Sequence, residues 1–347
     1  MNTEPERYLA LLLILCGLIA VPLSWAGEAV RLKGSGASFP FPLYGAWFKE
    51  YGRTHPNVVI DYQAKGSGAG VRDFINQTVD FAASDAAMTD AEMQEVDVGV
   101  QLLPMTAGSI VLSYNLPGGP QELKLSREAY SKIFLGQVTK WSDPLITQAN
   151  PGTNMPALDI TVVRRADASG TTFVFTQHLS AISEAWKNGP GTGTTVNWPS
   201  SDKFIASPQN AGVAATIKQT PGAIGYIEYG YAEQGKLSMA SLENRAGNFV
   251  KPTLESGQAA LAGLELPPDL RVWLPDPGGQ EAYPIVTYTW MLFYKQYDDG
   301  KKAQTLRDVV QYCLTDGQKM SAKLGYIPLP AEVVQVVSQA AQNIQSK

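Results

Sequence analysis

The sequence predicts an α/β fold built around a largely parallel sheet, and two observations predict it. Short β-branched and aromatic runs alternate with amphipathic helical patterns along most of the chain. In addition, a strand-like run passes three times through a loop of small residues straight into a helix start. In open α/β sheets, junctions of that kind face a common crevice.

Taken in chain order, the first element is a leader. From Tyr8 to Val21 the chain is almost wholly apolar (YLALLLILCGLIAV), the size of a signal-peptide core and short for a membrane span. Ser24 and Ala26 supply small residues for cleavage, so residues 1–26 read as a signal peptide cut after Ala26. Glu4 and Glu6 stand against a single Arg7 where a basic segment is usual. An uncleaved anchor helix is the alternative, opposed by the short run and by the helix-breaking Pro22. Cys16 lies inside the run, but the bulky Leu15 before it argues against lipid attachment there.

Beyond the leader, VVIDY (58–62), SIVLSYN (109–115), ITVVRR (160–165) and AIGYIEY (223–229) read as strands. Leu43, Trp47 and Tyr51 mark one helix by their spacing, and Phe175, Leu179 and Ile182 mark another. A strand-like stretch at 283–294 is followed by three helical patterns ending near Ile344. Residues 117–120, 150–156, 188–200 and 275–279 are rich in turn formers and read as loops. Cys313 falls on the apolar stripe Leu306, Val309, Val310, Cys313, Leu314, which assigns it to a helix core. Once the leader is removed it is the only cysteine, so the mature chain forms no internal disulfide.

Length and charge narrow the function. The 347 residues, 44% of them hydrophobic, suffice for one large or two ordinary domains. With 27 basic against 32 acidic residues, there is no electrostatic footprint for nucleic acid or an anionic membrane. An anionic ligand must be held by local groups, and the three junctions offer them. Gly34 to Pro40 (GSGASFP) and Lys65 to Gly70 (KGSGAG) let backbone N–H groups approach an anion at a helix N-terminus. Ser38 also suits an ordinary helix cap, and GSGAG has neither dinucleotide-binding nor Walker spacing. The third junction, Arg164 to Thr171 (RRADASGT), adds an arginine fork for a tetrahedral oxyanion and an aspartate, Asp167, to steady it. Asp85, at the end of DFAASD, would meet the same crevice or else act as a turn residue.

These segments closely resemble the periplasmic phosphate-binding proteins of bacterial phosphate-specific ABC transporters. The resemblance covers nearly the whole mature chain, through GSGASFPFPLY, YQAKGSGAGV, VDFAASDAAMTD, IFLGQVTKWSDP, VVRRADASGTTFVFTQ, GTGTTVNWP and PGAIGYIEYGYA. It implies a two-lobed Venus-flytrap fold, with lobe I from residues 27–105 plus 285–347 and lobe II from 106–284, closing on a phosphate buried between them. Carried over by motif, the ligand groups are Ser38, the backbone N–H of Phe39, Ser67, Asp85, Arg165, Ser169, Gly170 and Thr171, with Asp167 orienting Arg165. The implied setting is a monomeric periplasmic protein that hands inorganic phosphate to the permease and ATPase subunits of an importer. No metal or other cofactor is expected. Ser38 stands where threonine is common and Ala168 where glycine often precedes Ser-Gly-Thr, while PSSDKFIASPQNAG (199–212) departs from the glycine-rich family pattern.

A receptor for another tetrahedral oxyanion such as sulfate is the competing binding function. Asp85 discriminates, because phosphate near neutral pH keeps a proton to donate to a carboxylate and sulfate has none. A phosphate-ester hydrolase is the alternative from another class. It needs an activated nucleophile or a metal, whereas the two histidines, His55 and His178, have no metal-ligand spacing. His178 is expected to be a surface or partly buried structural residue.

Overall fold

The computed structural model describes residues 29–347. The leader, with Cys16 and the cleavage site after Ala26, lies outside the described residues. The fold is organised on a curled sheet of two halves, joined by one long strand that pairs into both.

In the first half, β1 (Val30–Gly36) pairs in parallel with β2 (Val58–Ala64) and with β3 (Phe81–Ser84). In the second, β5 (Thr161–Arg165) pairs in parallel with β6 (Phe204–Ser207) and β7 (Ala223–Glu228). Between the halves run β4 (Val100–Asn115) and β8 (Val286–Tyr294), both antiparallel to their neighbours. The sheet is therefore mixed and less parallel than expected: each half is parallel internally and the strands between them are not. β4 is one strand of 16 residues, nearly all buried, of which the run 109–115 is only the end. It pairs with β8 from Val100 to Ser109 and with β7 from Ile110 to Asn115.

The β4–β8 ladder shifts register between Thr289 and Trp290. Thr289 faces Thr106 and Trp290 faces Pro104, leaving one extra residue on β4. Proline has no N–H to give a ladder, so a bulge is the arrangement a central strand can adopt around it.

Helices cover the sheet with the faces the spacing predicts. α1 (Phe41–Thr54) buries Leu43, Trp47 and Tyr51, and Trp47 Nε1 donates to Gly317 O at 2.7 Å. α2 (Ser67–Ile75), α3 (Gly170–Ile182) and α4 (Gln209–Gln219) each follow a strand after a short turn. Phe175 and Leu179 of α3 are buried, with Ile182 packed at the edge. At the C-terminus, α5 (Gly300–Leu314) buries Cys313, and α6 (Ala331–Ala340) follows after two single turns of 3₁₀ helix. Among the described residues, no helix is long and apolar enough to cross a membrane.

The irregular stretch from 264 to 283 fastens both halves. Trp290 Nε1 donates to Leu270 O at 2.8 Å and Arg271 Nη1 donates to Met88 O at 2.9 Å. A few residues on, Arg127 holds Asp276 through two parallel bonds of 2.9 Å. His178 Nδ1 lies 2.7 Å from Pro275 O and its Nε2 lies 2.8 Å from the Tyr130 hydroxyl. A carbonyl only accepts, so Nδ1 carries the proton and Nε2 accepts from Tyr130. His178 is thus fully buried, 1% exposed, where a surface or partly buried position was expected. Burial of the ring drives its pKa down to about 4.

Candidate anion-binding site

Four strand-to-helix junctions converge between the halves, one more than the sequence pattern suggested. They follow β1, β2, β5 and β6, and the carboxylate of Asp85 enters from the end of β3.

The β1 junction places Ser38 and Phe39 before α1. Ser38 does not cap that helix, which starts after Pro40 without a side-chain cap. Instead Ser38 Oγ accepts from the backbone N–H and the side-chain amide of Asn210, both at 3.1 Å. Phe39 is anchored by its buried ring and by Tyr326, whose hydroxyl donates to Phe39 O at 2.7 Å. The β2 junction turns at Gly66, whose φ of +95° is a conformation glycine adopts without strain. A Cβ there would sit 2.3 Å from Asp167 Oδ2, so the close approach also requires glycine. Ser67 follows as the first residue of α2, and its Oγ accepts from the Asp85 N–H at 3.2 Å.

The β5 junction supplies the charge. Arg165 Nε donates to Asp167 Oδ1 at 2.9 Å, and Nη2 donates to Asp167 Oδ2. Its Nη1 donates to Thr171 Oγ1 at 3.3 Å. The strand beneath is fixed by Tyr226, whose hydroxyl accepts from Arg165 N at 3.2 Å and pairs with Thr172 Oγ1 at 2.7 Å. Ser169 caps α3 by accepting from Thr172 N at 3.0 Å. The N–H groups of Gly170 and Thr171, in the first turn of α3, have no partner within the helix, so they are donors for an anion.

Asp85 closes the constellation. Its Oδ1 accepts from the Thr289 hydroxyl at 2.8 Å, while Oδ2 lies 3.5 Å from both Ser67 Oγ and Thr171 Oγ1. It is 1% exposed, and burial pushes its pKa up to about 7 against the pull of the Thr289 hydroxyl and the Arg165 charge. Burial also acts to raise the Asp167 carboxyl, but the hydrogen bonds and charge of Arg165 outweigh it and hold Asp167 below its ordinary value.

The structure thus draws Ser38, Ser67, Asp85, Arg165, Ser169, Gly170 and Thr171 into one buried set, with the half-buried Asp167 and the Phe39 backbone beside it. Contacts across the halves seal it. Gly68 N donates to Ala168 O at 3.0 Å, the Tyr231 hydroxyl donates to Ser38 O at 2.6 Å, and Gln209 Nε2 donates to Ala64 O. Three contributors were missed from sequence: Asn210, which bridges Ser38 to Thr171 Oγ1 at 3.3 Å, Gln209, whose N–H donates to Asp167 at 2.9 Å, and Thr289. The first two sit at the junction after β6, where FIAS runs through Pro208 into α4. Repetition of the strand-to-helix design was the available signal. Among the described residues, no group of three or more His, Cys, Asp or Glu side chains is placed to hold a metal ion.

Such a set of hydroxyls, helix N–H groups, one guanidinium and one carboxylate can enclose a small oxyanion that still carries a proton. Known proteins agree with the architecture. Residues 24–316 match the PBP superfamily domain. The phosphate-binding protein PstS of Pasteurella multocida is 38% identical over 315 residues, covering 89% of each chain. That of Xylella fastidiosa is 36% identical over 313 residues, covering 89% of this chain and 84% of the relative. Among solved structures, a periplasmic phosphate-binding protein, PfluDING, bound with phosphate superposes with a TM-score of 0.73 at 21% identity, covering 89% of this chain and 93% of its own. A phosphate-binding protein from Stenotrophomonas maltophilia gives a TM-score of 0.71 at 21% identity, over 90% and 94% of the two chains. With a family model matched over most of its length and these identities to named relatives, the chain belongs to the PBP superfamily and, within it, to the PstS phosphate-binding proteins.

Proposed function

We propose that the protein is an extracytoplasmic solute-binding protein that captures inorganic phosphate and delivers it to the permease and ATPase subunits of an ABC importer. The observation that carries this reading is the buried meeting of Asp85 with Arg165, Ser67, Thr171 and the start of α3. In this reading the anion receives hydrogen bonds from Ser38, Phe39 N–H, Ser67, Arg165, Ser169, Gly170 N–H and Thr171. It returns its own proton to Asp85, and Asp167 holds the Arg165 fork in plane. The names of the PstS relatives, at 36–38% identity over most of the chain, support phosphate as cargo. The lobes are 27–105 with 285–347, and 106–284, hinged where β4 and β8 cross. The protein works as a periplasmic monomer after cleavage behind Ala26. It performs no chemistry on its ligand.

Calorimetric titration of the mature protein with phosphate, arsenate and sulfate tests the reading. Phosphate and arsenate, which share shape and proton count, are expected to bind at one site, and sulfate to be rejected. Sulfate binding as tight as phosphate would overturn the assignment of cargo. Turnover of a chromogenic phosphate ester, lost on replacing Asp85, would overturn the non-enzymatic role.

A further inference from the structure

We propose that Thr289 is a positioning residue that sets the oxyanion selectivity of the site, by occupying one oxygen of Asp85 and leaving the other as a bare acceptor for the anion's proton. The proposal rests on the reading of Asp85 as a contact to phosphate, and deepens it.

The two oxygens of Asp85 are not equivalent. Oδ1 receives a short, well-formed bond from Thr289 Oγ1 at 2.8 Å, whereas Oδ2 is 3.5 Å from its two hydroxyl neighbours, too long for strong bonds. Ser67 belongs to one half of the molecule and Thr171 to the other, so Oδ2 is the oxygen that faces the cleft. Thr289 is itself 0% exposed and lies at the register shift of β8 against β4. It approaches Asp85 from 204 residues away in sequence, and the fold alone brings it there.

Selectivity follows from the charge state of the carboxylate. An ionised Asp85 only accepts, so it takes the proton of phosphate and penalises sulfate; a protonated Asp85 can donate and tolerates both. Burial favours the protonated form. Facing Asp85, Arg165 favours the ionised form, while Glu228 on β7 and the phenols of Tyr44, Tyr62, Tyr231 and Tyr326 surround it from the other elements. Those tyrosines hold their protons far above neutral pH, and burial keeps Glu228 protonated well above its ordinary range. The Thr289 hydroxyl is therefore, with Arg165, one of the main groups favouring ionisation, and it is fixed to the oxygen turned away from the cleft.

The test compares Thr289→Val, which keeps the branched shape and removes the donor, with Thr289→Ser, which keeps the donor. Competition titrations give the ratio of phosphate to sulfate affinity from pH 6 to 9. Thr289→Val is expected to lower the ratio at neutral pH by roughly tenfold, the worth of one hydrogen bond to a charged group, and to regain it as pH rises. Thr289→Ser is expected to follow the wild type. Carbon-13 titration of the Asp85 carboxyl in phosphate-free protein should show a higher midpoint in Thr289→Val; Thr289→Ala serves as the second donor-free variant. If Asp85→Asn lowers the ratio while both donor-free variants keep the wild-type ratio and midpoint, the proposal is overturned and the site reading stands. If Asp85→Asn also leaves the ratio unchanged, the site reading falls and the proposal with it.

Discussion

Arg165 shows how much one side chain can be asked to do when it is enclosed. Its side chain is 2% exposed, two of its nitrogens are held by Asp167 and a third reaches Thr171. A planar fork pinned along one edge presents its remaining donors in a fixed direction, which a lysine ammonium cannot reproduce. Arg165→Lys is expected to weaken phosphate binding while preserving net charge, and Arg165→Ala to cost on the order of 2–5 kcal/mol of binding energy. Titration calorimetry checks both, and an unchanged affinity in Arg165→Ala would make the pair with Asp167 purely structural. Asp85 carries a different liability, because a buried carboxyl raised to about 7 favours the fold only while protonated. The contribution is fully present below the unfolded-state pKa of about 3.9 and is lost as pH rises through about 7. In phosphate-free buffer, Asp85→Asn should therefore be more stable than wild type at pH 8, by on the order of 2–4 kcal/mol, and the gap should close toward pH 4. Urea unfolding across that range measures it. Of these residues, Arg165, Asp167 and Asp85 were legible as parts of short, unusual polar segments. Thr289 was not, because in YPIVTYTWMLFY a threonine is simply a good strand former, and its role depends on a bulge and a pairing partner far away in sequence.

At the scale of elements, what was legible was the junction between strand and helix, and what was hidden was how strands partner. Periodicity located β2, β5, β7, α1 and α3 because each has a local pattern of burial. The antiparallel course of β4 and β8 left no such trace, since a strand buried on both faces reads as a plain apolar run in either direction. The stretch 199–212 was opaque for the opposite reason. It carries Gln209 and Asn210 without the small-residue signature of the other junctions, although their amides do similar work. The fastening of 264–283 through His178 was equally invisible, since a lone histidine on a helix says nothing about a carbonyl 97 residues later. It has a measurable consequence. Burial lowers the ring's pKa to about 4, so the stability His178 contributes is present above about 6.5 and is lost as pH falls toward about 4. His178→Gln, which does not titrate in this range, should be destabilised by ~1–3 kcal/mol at pH 7.5, where a buried partner is left unpaired. Its deficit relative to wild type should shrink at pH 4.5. This trend is opposite in sign to that from Asp85, so the wild-type profile alone shows neither, and thermal melts of the two variants separate them. A deficit independent of pH would assign His178 to packing alone.

For the whole molecule the decisive fact is that the site is shut. Ser38, Ser67, Asp85, Ser169 and Thr171 are each no more than 2% exposed, so an anion reaches them only if the halves part. Binding must then include closure, and its free energy is counted in the observed affinity. Gly170 isolates that contribution. It opens α3, where alanine is the better helix former, and its φ does not require glycine. A Cβ added to it in the closed arrangement would lie 2.5 Å from Ser67 Oγ and 2.7 Å from Asp85 Cβ, atoms that belong to the opposite half. Gly170→Ala should therefore leave the open form intact and penalise the closed one by the ~1–3 kcal/mol of a tight overpacking. The expected result is a phosphate affinity about ten- to a hundredfold weaker, with the phosphate-free melting temperature unchanged or slightly raised. Small-angle scattering should show the wild type contracting when phosphate is added. Gly170→Ala should stay extended at a phosphate concentration that saturates the wild type, and contract only at far higher concentration. If the variant binds and contracts like the wild type, the two halves do not need to meet at Gly170, and closure is not what holds the ligand.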